Sequence, residues 1–108
     1  MMAKLYGILG QSAPGAITLT TAYTVPAGRH ATARVLVCNR SGNDTFRIAV
    51  SPAGATIADE HYVAYGQAIG ANDSVSSVAF TVTETDLVRV YSTNGTLSFS
   101  VTGIEDDN

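Results

Sequence analysis

Phe46-Arg47-Ile48-Ala49-Val50-Ser51 is the stretch that decides the fold. Phe46, Ile48 and Val50 alternate with Arg47, Ala49 and Ser51, and successive side chains on a β-strand point to opposite faces. The stretch therefore reads as a half-buried strand. The same two-residue rhythm returns in Val78, Phe80 and Val82, and again in Leu97, Phe99 and Val101. These residues are the candidate core, with Phe46, Phe80 and Phe99 its largest members. Clusters of Gly, Asn, Asp, Ser and Pro separate the runs, where they end strands and form turns.

Outward from residues 45–50, further strands are predicted over 5–9, 17–25, 32–39, 61–65, 75–83, 87–91 and 97–102. Pro26-Ala27-Gly28 stops the second of these, because proline cannot donate to a β-ladder. Val35-Leu36-Val37-Cys38 is apolar at every position, which predicts a strand covered on both faces. Ser41-Gly42-Asn43-Asp44 and Thr93-Asn94-Gly95-Thr96 are read as tight hairpin connections, the second through its Asn-Gly pair. Residues 55–60 carry the least pattern. About eight short antiparallel strands at this spacing predict an all-β, single-domain, two-sheet β-sandwich over 1–108. It is immunoglobulin-like or jelly-roll-like, and strand order stays open.

Hydrophobic residues are 45% of the 108, enough for one core. Charged residues are only 14%, against roughly 25% in an ordinary soluble domain. Small and hydroxyl side chains such as Thr18, Thr20, Ser98 and Ser100 take their place, a surface suited to packing against other protein. The formal net charge is −3 with no run of Lys or Arg, which argues against nucleic acid as a direct partner. Glu105-Asp106-Asp107-Asn108 reads as a short, flexible, solvated acidic tail. Met1-Met2-Ala3-Lys4 leads into a β-like segment without a long apolar run. The expectation is no secretory leader, no membrane span, and synthesis in a cytoplasm.

Cys38 is the single cysteine, so no disulfide forms within the chain, and its apolar neighbours predict a buried, inert thiol. His30 is expected at an exposed strand start. Asp59-Glu60-His61 offers at most Asp59 and His61 on one strand face, too few ligands for a metal. The acids Asp59, Glu60, Asp73, Glu84 and Asp86 fall in turns, where backbone hydrogen bonding explains them. No nucleophile elbow or phosphate-binding loop is present. The reading is a non-enzyme with no cofactor, no metal and no catalytic residue. Tyr62 and Tyr65, three apart, are expected on opposite sides of a strand, one of them free to anchor a contact.

Three segments carry a likeness. Tyr23-Thr24-Val25-Pro26-Ala27-Gly28 leads into Val35-Leu36-Val37-Cys38-Asn39-Arg40. Residues 45–54 and 60–65 then follow in order. Over roughly residues 5–104, this order resembles the small β-sandwich structural proteins of tailed-bacteriophage virions, of capsid decoration, cement or tail-associated type. The resemblance implies a non-enzymatic virion component that contacts other virion proteins, above all the major capsid protein, and copies of itself. A head decoration or cement subunit is the leading reading, and a tail, connector or fibre-associated subunit the alternative. A lectin-like module for host glycans is the contrasting class. Leu5, Tyr6, Ile8 and Leu9, together with Tyr62, Tyr65 and Asn72, are the candidate contact residues, through packing or strand addition at a sheet edge.

Overall fold

The computed structural model describes residues 5–108, so Met1-Met2-Ala3-Lys4 and the leader reading placed there lie outside the described residues. Nine strands form: β1 Leu5–Ser12, β2 Thr20–Thr24, β3 Arg29–Asn39, β4 Asp44–Ser51, β5 Tyr62–Ile69, β6 Ser74–Ser76, β7 Phe80–Thr83, β8 Leu87–Ser92 and β9 Leu97–Asp107. The first sheet has the order β1-β9-β3-β6, with β7 also on β3, and the second has the order β2-β8-β4-β5. Every strand pair is antiparallel. Apart from β4 to β5 and β6 to β7, each strand is followed by one in the opposite sheet. With β6 and β7 sharing one position, this is the eight-position jelly-roll order. Of the two sandwich types expected, the chain forms this one.

The alternation does its predicted work where two sheets meet. Val35 and Val37 of β3 and Phe99 and Val101 of β9 are buried against Phe46 and Ile48 of β4 and Val88 and Val90 of β8. Phe46 and Phe99 meet edge to face across the layer, with ring centres 6.3 Å apart. Each such side chain contributes roughly 1.5–3 kcal/mol by leaving water. Phe80 packs at the margin of this core.

Four expectations are corrected. The predicted strand over 75–83 breaks into β6 and β7. Ser77 there accepts the Val35 N–H on its side-chain oxygen and donates its own N–H to the Val35 carbonyl. A side chain thus replaces a ladder acceptor, and Val78 is turned outward, 70% exposed. The 41–44 and 93–96 turns are arches between sheets, not hairpins within one. Buried polar side chains bind those arches: Asn39 donates to the Gly42, Ile69 and Gly70 carbonyls. Asp44 accepts from Ser92 and from the Asn94 N–H.

The β3 run is likewise covered on one face only. Ala31, Ala33, Val35, Val37 and Asn39 are buried, whereas Leu36 and Cys38 are exposed. Its apolar outer residues reflect a weakly polar surface, so Cys38 is not a core thiol. The acidic end, finally, is strand and not solvated tail through Asp107. Glu105 is buried, accepting from Tyr23 and Arg29, and Asp107 lies 3.5 Å from the Arg29 guanidinium. A basic residue at the start of β3, beside β9, holds these acids in the sheet.

Candidate functional site

The register puts one set of side chains on the outer face of the first sheet. From β1 to β7 these are Tyr6, Ile8 and Gln11; Ser98, Ser100, Thr102 and Ile104; Thr32, Arg34, Leu36 and Cys38; Ser74, Ser76, Thr81 and Thr83. The face is hydroxyl-rich with an apolar minority. Among the described residues, Arg34 is its one formal charge away from the His30–Asp106 end. Tyr6 is 70% exposed beside Ile104. Such a surface costs little to desolvate, because hydroxyls exchange partners cheaply and charges do not.

The β1 residues divide. The β1–β9 register slips between Ile8 and Gly10, so two consecutive residues oppose one partner position. Leu5, Tyr6 and Ile8 remain exposed, while Leu9 turns inward and packs against the core. β1 is an edge strand of its sheet. Asn72 is exposed in the connection from β5 to β6, in left-handed backbone with φ 61°.

The opposite face, on the second sheet, holds an aromatic cluster. Arg47 projects outward from β4 and lies 4.2 Å from the Tyr65 ring centre and 4.4 Å from that of Tyr91. Tyr62 and Tyr65 meet edge to face with centres 4.8 Å apart, which corrects the expectation that they point to opposite sides. The cause is local. Ile48 pairs with Ala64 and Ala49 with Tyr62, so Val63 is an extra residue that flips Tyr62 onto the face of Tyr65. A second slip at Gly66, with φ 64°, returns β5 to register and lets Ile69 enter the core. Asp59, in the 3-10 turn Asp59–His61, joins Tyr62 and Tyr65 in lining an open, shallow cleft.

The other reactive candidates are dispersed. His30 is exposed with Nδ1 2.8 Å from Asn108 Oδ1. His61 is buried, and its Nδ1 accepts the Ala58 N–H. Turn acids serve the backbone: Asp86 accepts from the Ala53 and Thr83 N–H groups, Glu84 from Gly28, and Asp73 from Ser74. Among the described residues no group of three or more His, Cys, Asp or Glu could hold a metal. No helix among them is long and apolar enough to cross a membrane.

Sequence reasoning missed Arg47 and Tyr91 as members of the cluster. Arg47 stood in the alternating pattern as a polar residue on a solvent face. Its value comes from Tyr91, 44 positions away in sequence and directly opposite it in the β4–β8 register.

No protein-family model matches the chain, and no curated protein matches it. Solved structures share the fold. One is a chain in the structure of infectious bursal disease virus Gx strain, with TM-score 0.56 and 12% identity over 98% of this chain. The match covers 32% of that chain, so the present chain spans about a third of its length. Another, from the disulfide-linked pili that are Bacillus endospore appendages, has TM-score 0.53 and 15% identity, covering 98% of this chain and 84% of that one. A third, in the acidic stable capsid of Helicobacter pylori bacteriophage KHP30, has TM-score 0.50 and 12% identity. It covers 97% of this chain and 92% of that one. At these identities the likeness is one of fold.

Proposed function

We propose that this chain is a non-enzymatic structural subunit of a phage virion, a decoration or cement protein that packs on the major capsid protein of the head and on its own copies. The observation that carries the reading is the near end-to-end match with the KHP30 capsid chain. A chain of similar fold and about this length is there nearly the whole of a chain in a phage capsid structure, not one domain of a larger one. The outer face of the first sheet supports the same role. It is broad, nearly uncharged and hydroxyl-rich, with Tyr6, Ile8 and Leu36 as apolar points of attachment. A subunit repeated over a shell meets the same surface many times and needs adhesion, not chemistry.

Leu5, Tyr6 and Ile8 at the β1 edge form the contact with the shell in this reading, and Leu9 supports them from within. Tyr62 and Tyr65 stand on the far side of the sandwich and Asn72 at its end, in the connection from β5 to β6, where they would face a neighbouring copy or the exterior. A tail or connector subunit is the runner-up.

Quantitative mass spectrometry of purified particles, with heads and tails separated, tests the proposal. Hundreds of copies per particle in the head fraction are expected. Small multiples of three or six in the tail fraction would replace the decoration reading with the runner-up. Absence from particles would overturn the virion role altogether. Within particles, Tyr6→Asp together with Ile8→Asp is expected to abolish incorporation while the free protein remains folded. Unchanged incorporation would remove β1 from the contact.

A further inference from the structure

We infer that the cleft between Asp59, Tyr62 and Tyr65 on the outer face of the second sheet is a binding site for a neutral sugar. The inference does not depend on a place in the virion.

Three observations carry it. The first is that the two tyrosines are brought together by an irregularity in the strand. A regular β5 would separate them, whereas the extra residue at Val63 sets Tyr62 beside Tyr65 on one face. Bulges of this kind re-aim side chains, and they are common next to binding sites. The second is that Tyr65 is 62% exposed and yet held in place. The Arg47 guanidinium stacks on its ring and on Tyr91, and the Tyr62 ring meets it at 84°. An exposed ring fixed in this way loses little freedom on binding.

The third observation is charge. Asp59 lines the cleft, so an anionic ligand meets a carboxylate. Arg47 stands 4.2 Å from the Tyr65 ring centre, so the ring is already satisfied by a cation and a second one is repelled. What remains is a neutral ligand with an apolar face and hydroxyl donors. A pyranose ring has both. Its C–H face lies on a tyrosine ring, and a hydroxyl donates to the Asp59 carboxylate.

The cleft faces away from the first sheet's outer surface, so a subunit packed on a shell through Tyr6, Ile8 and Leu36 would present it outward. Adhesion and sugar binding thus use opposite sides of the sandwich and fail independently in experiment.

The test is binding of the purified 108-residue chain to a printed array of neutral and acidic oligosaccharides, followed by titration with the best neutral binder. Wild type is expected to retain neutral sugars, and Tyr65→Ala and Asp59→Asn each to weaken binding by about tenfold or more. Tyr65→Trp, which keeps a ring, is expected to retain it. Thermal unfolding of each variant separates loss of the site from loss of the fold. No neutral sugar held above the Tyr65→Ala background, or equal binding by wild type and Tyr65→Ala, would overturn the proposal. A preference for acidic sugars alone would also overturn it, as would capture of a capsid protein that Tyr65→Ala abolishes with no sugar bound. Particle location has no bearing on any of these outcomes.

Discussion

Tyr23 on the second sheet donates a 2.5 Å hydrogen bond to the Glu105 carboxylate on the first. The pair clasps the two layers at the end of the core, and Arg29 reaches the same carboxylate at 2.9 Å. Burial first, and then the Glu105 hydrogen bond and charge, raise the Tyr23 pKa well above the usual tyrosine range, while Arg29 opposes the shift. The folded state thus resists losing this proton more than the unfolded chain does. The clasp contributes fully below about pH 10, the unfolded tyrosine value, and is lost as pH rises toward the higher folded one. Tyr23→Phe is expected to cost about 2 kcal/mol at pH 7. Denaturant midpoints measured from pH 8 to pH 11 should fall more steeply for wild type than for the variant.

Asp44 gives the opposite dependence. Burial raises its pKa, but hydrogen bonds from Ser92, the Asn94 N–H, Thr96 and the Thr45 N–H outweigh this and hold it below the usual carboxylate range. Its contribution is present above the unfolded value and fades as pH drops below about 4 toward the depressed folded one. Asp44→Ala is expected to destabilise by about 3 kcal/mol at pH 7, because it strips acceptors from the 93–96 arch. Urea titrations at pH 7 and pH 3 should bring wild type closer to the variant at the lower pH.

Glycine at position 10 is set by proximity. A Cβ there would stand 2.1 Å from the Ala22 carbonyl oxygen, where β1 crosses close to β2. A Cβ at Gly42 would meet nothing within 4 Å. Gly10→Ala is expected to lose about 3 kcal/mol, and Gly42→Ala to stay within about 0.5 kcal/mol of wild type. Thermal unfolding of the two variants side by side checks the contrast.

The outward placement of Cys38 has a direct chemical readout. A maleimide should label the native protein without denaturant, to one equivalent. The labelled protein should keep its unfolding midpoint within the error of the unlabelled one. Labelling only after unfolding would return Cys38 to the interior.

The strands themselves were legible because half-burial writes a two-residue period into the chain, as in Phe46-Arg47-Ile48. What joins them was not. A Ser-Gly-Asn-Asp turn looks the same whether it closes a hairpin or an arch. The difference lies in Asn39, which donates to Ile69 and Gly70 some 30 residues on. The acidic end misled for a similar reason: Glu105 is buried because of Arg29 and Tyr23, neither of them near it in sequence. In the candidate site, the sequence draws attention to Tyr62 and Tyr65, but their spacing of three assigns them opposite faces, whereas their rings meet on one. Spacing implies facing only while the register is regular, and nothing about Val63 announces a bulge. The exposed Tyr6 and Ile8 were accessible to pattern reading, because β1 is short of charge and sits at an edge.

β9 is the last strand in sequence and yet lies inside its sheet, paired with β1 on one side and β3 on the other. As the chain leaves a ribosome, β1 and β3 therefore wait for a common partner that is made after both. The first sheet cannot assemble stepwise from the N-terminal side, and pairing β1 with β9 closes a loop that spans most of the chain. Such an order of events favours slow, all-or-none folding after synthesis over gradual growth. In the meantime, the apolar Leu5–Ile8 segment has no strand beside it. Rapid overproduction should thus expose this protein to aggregation at its first strand before the last one arrives.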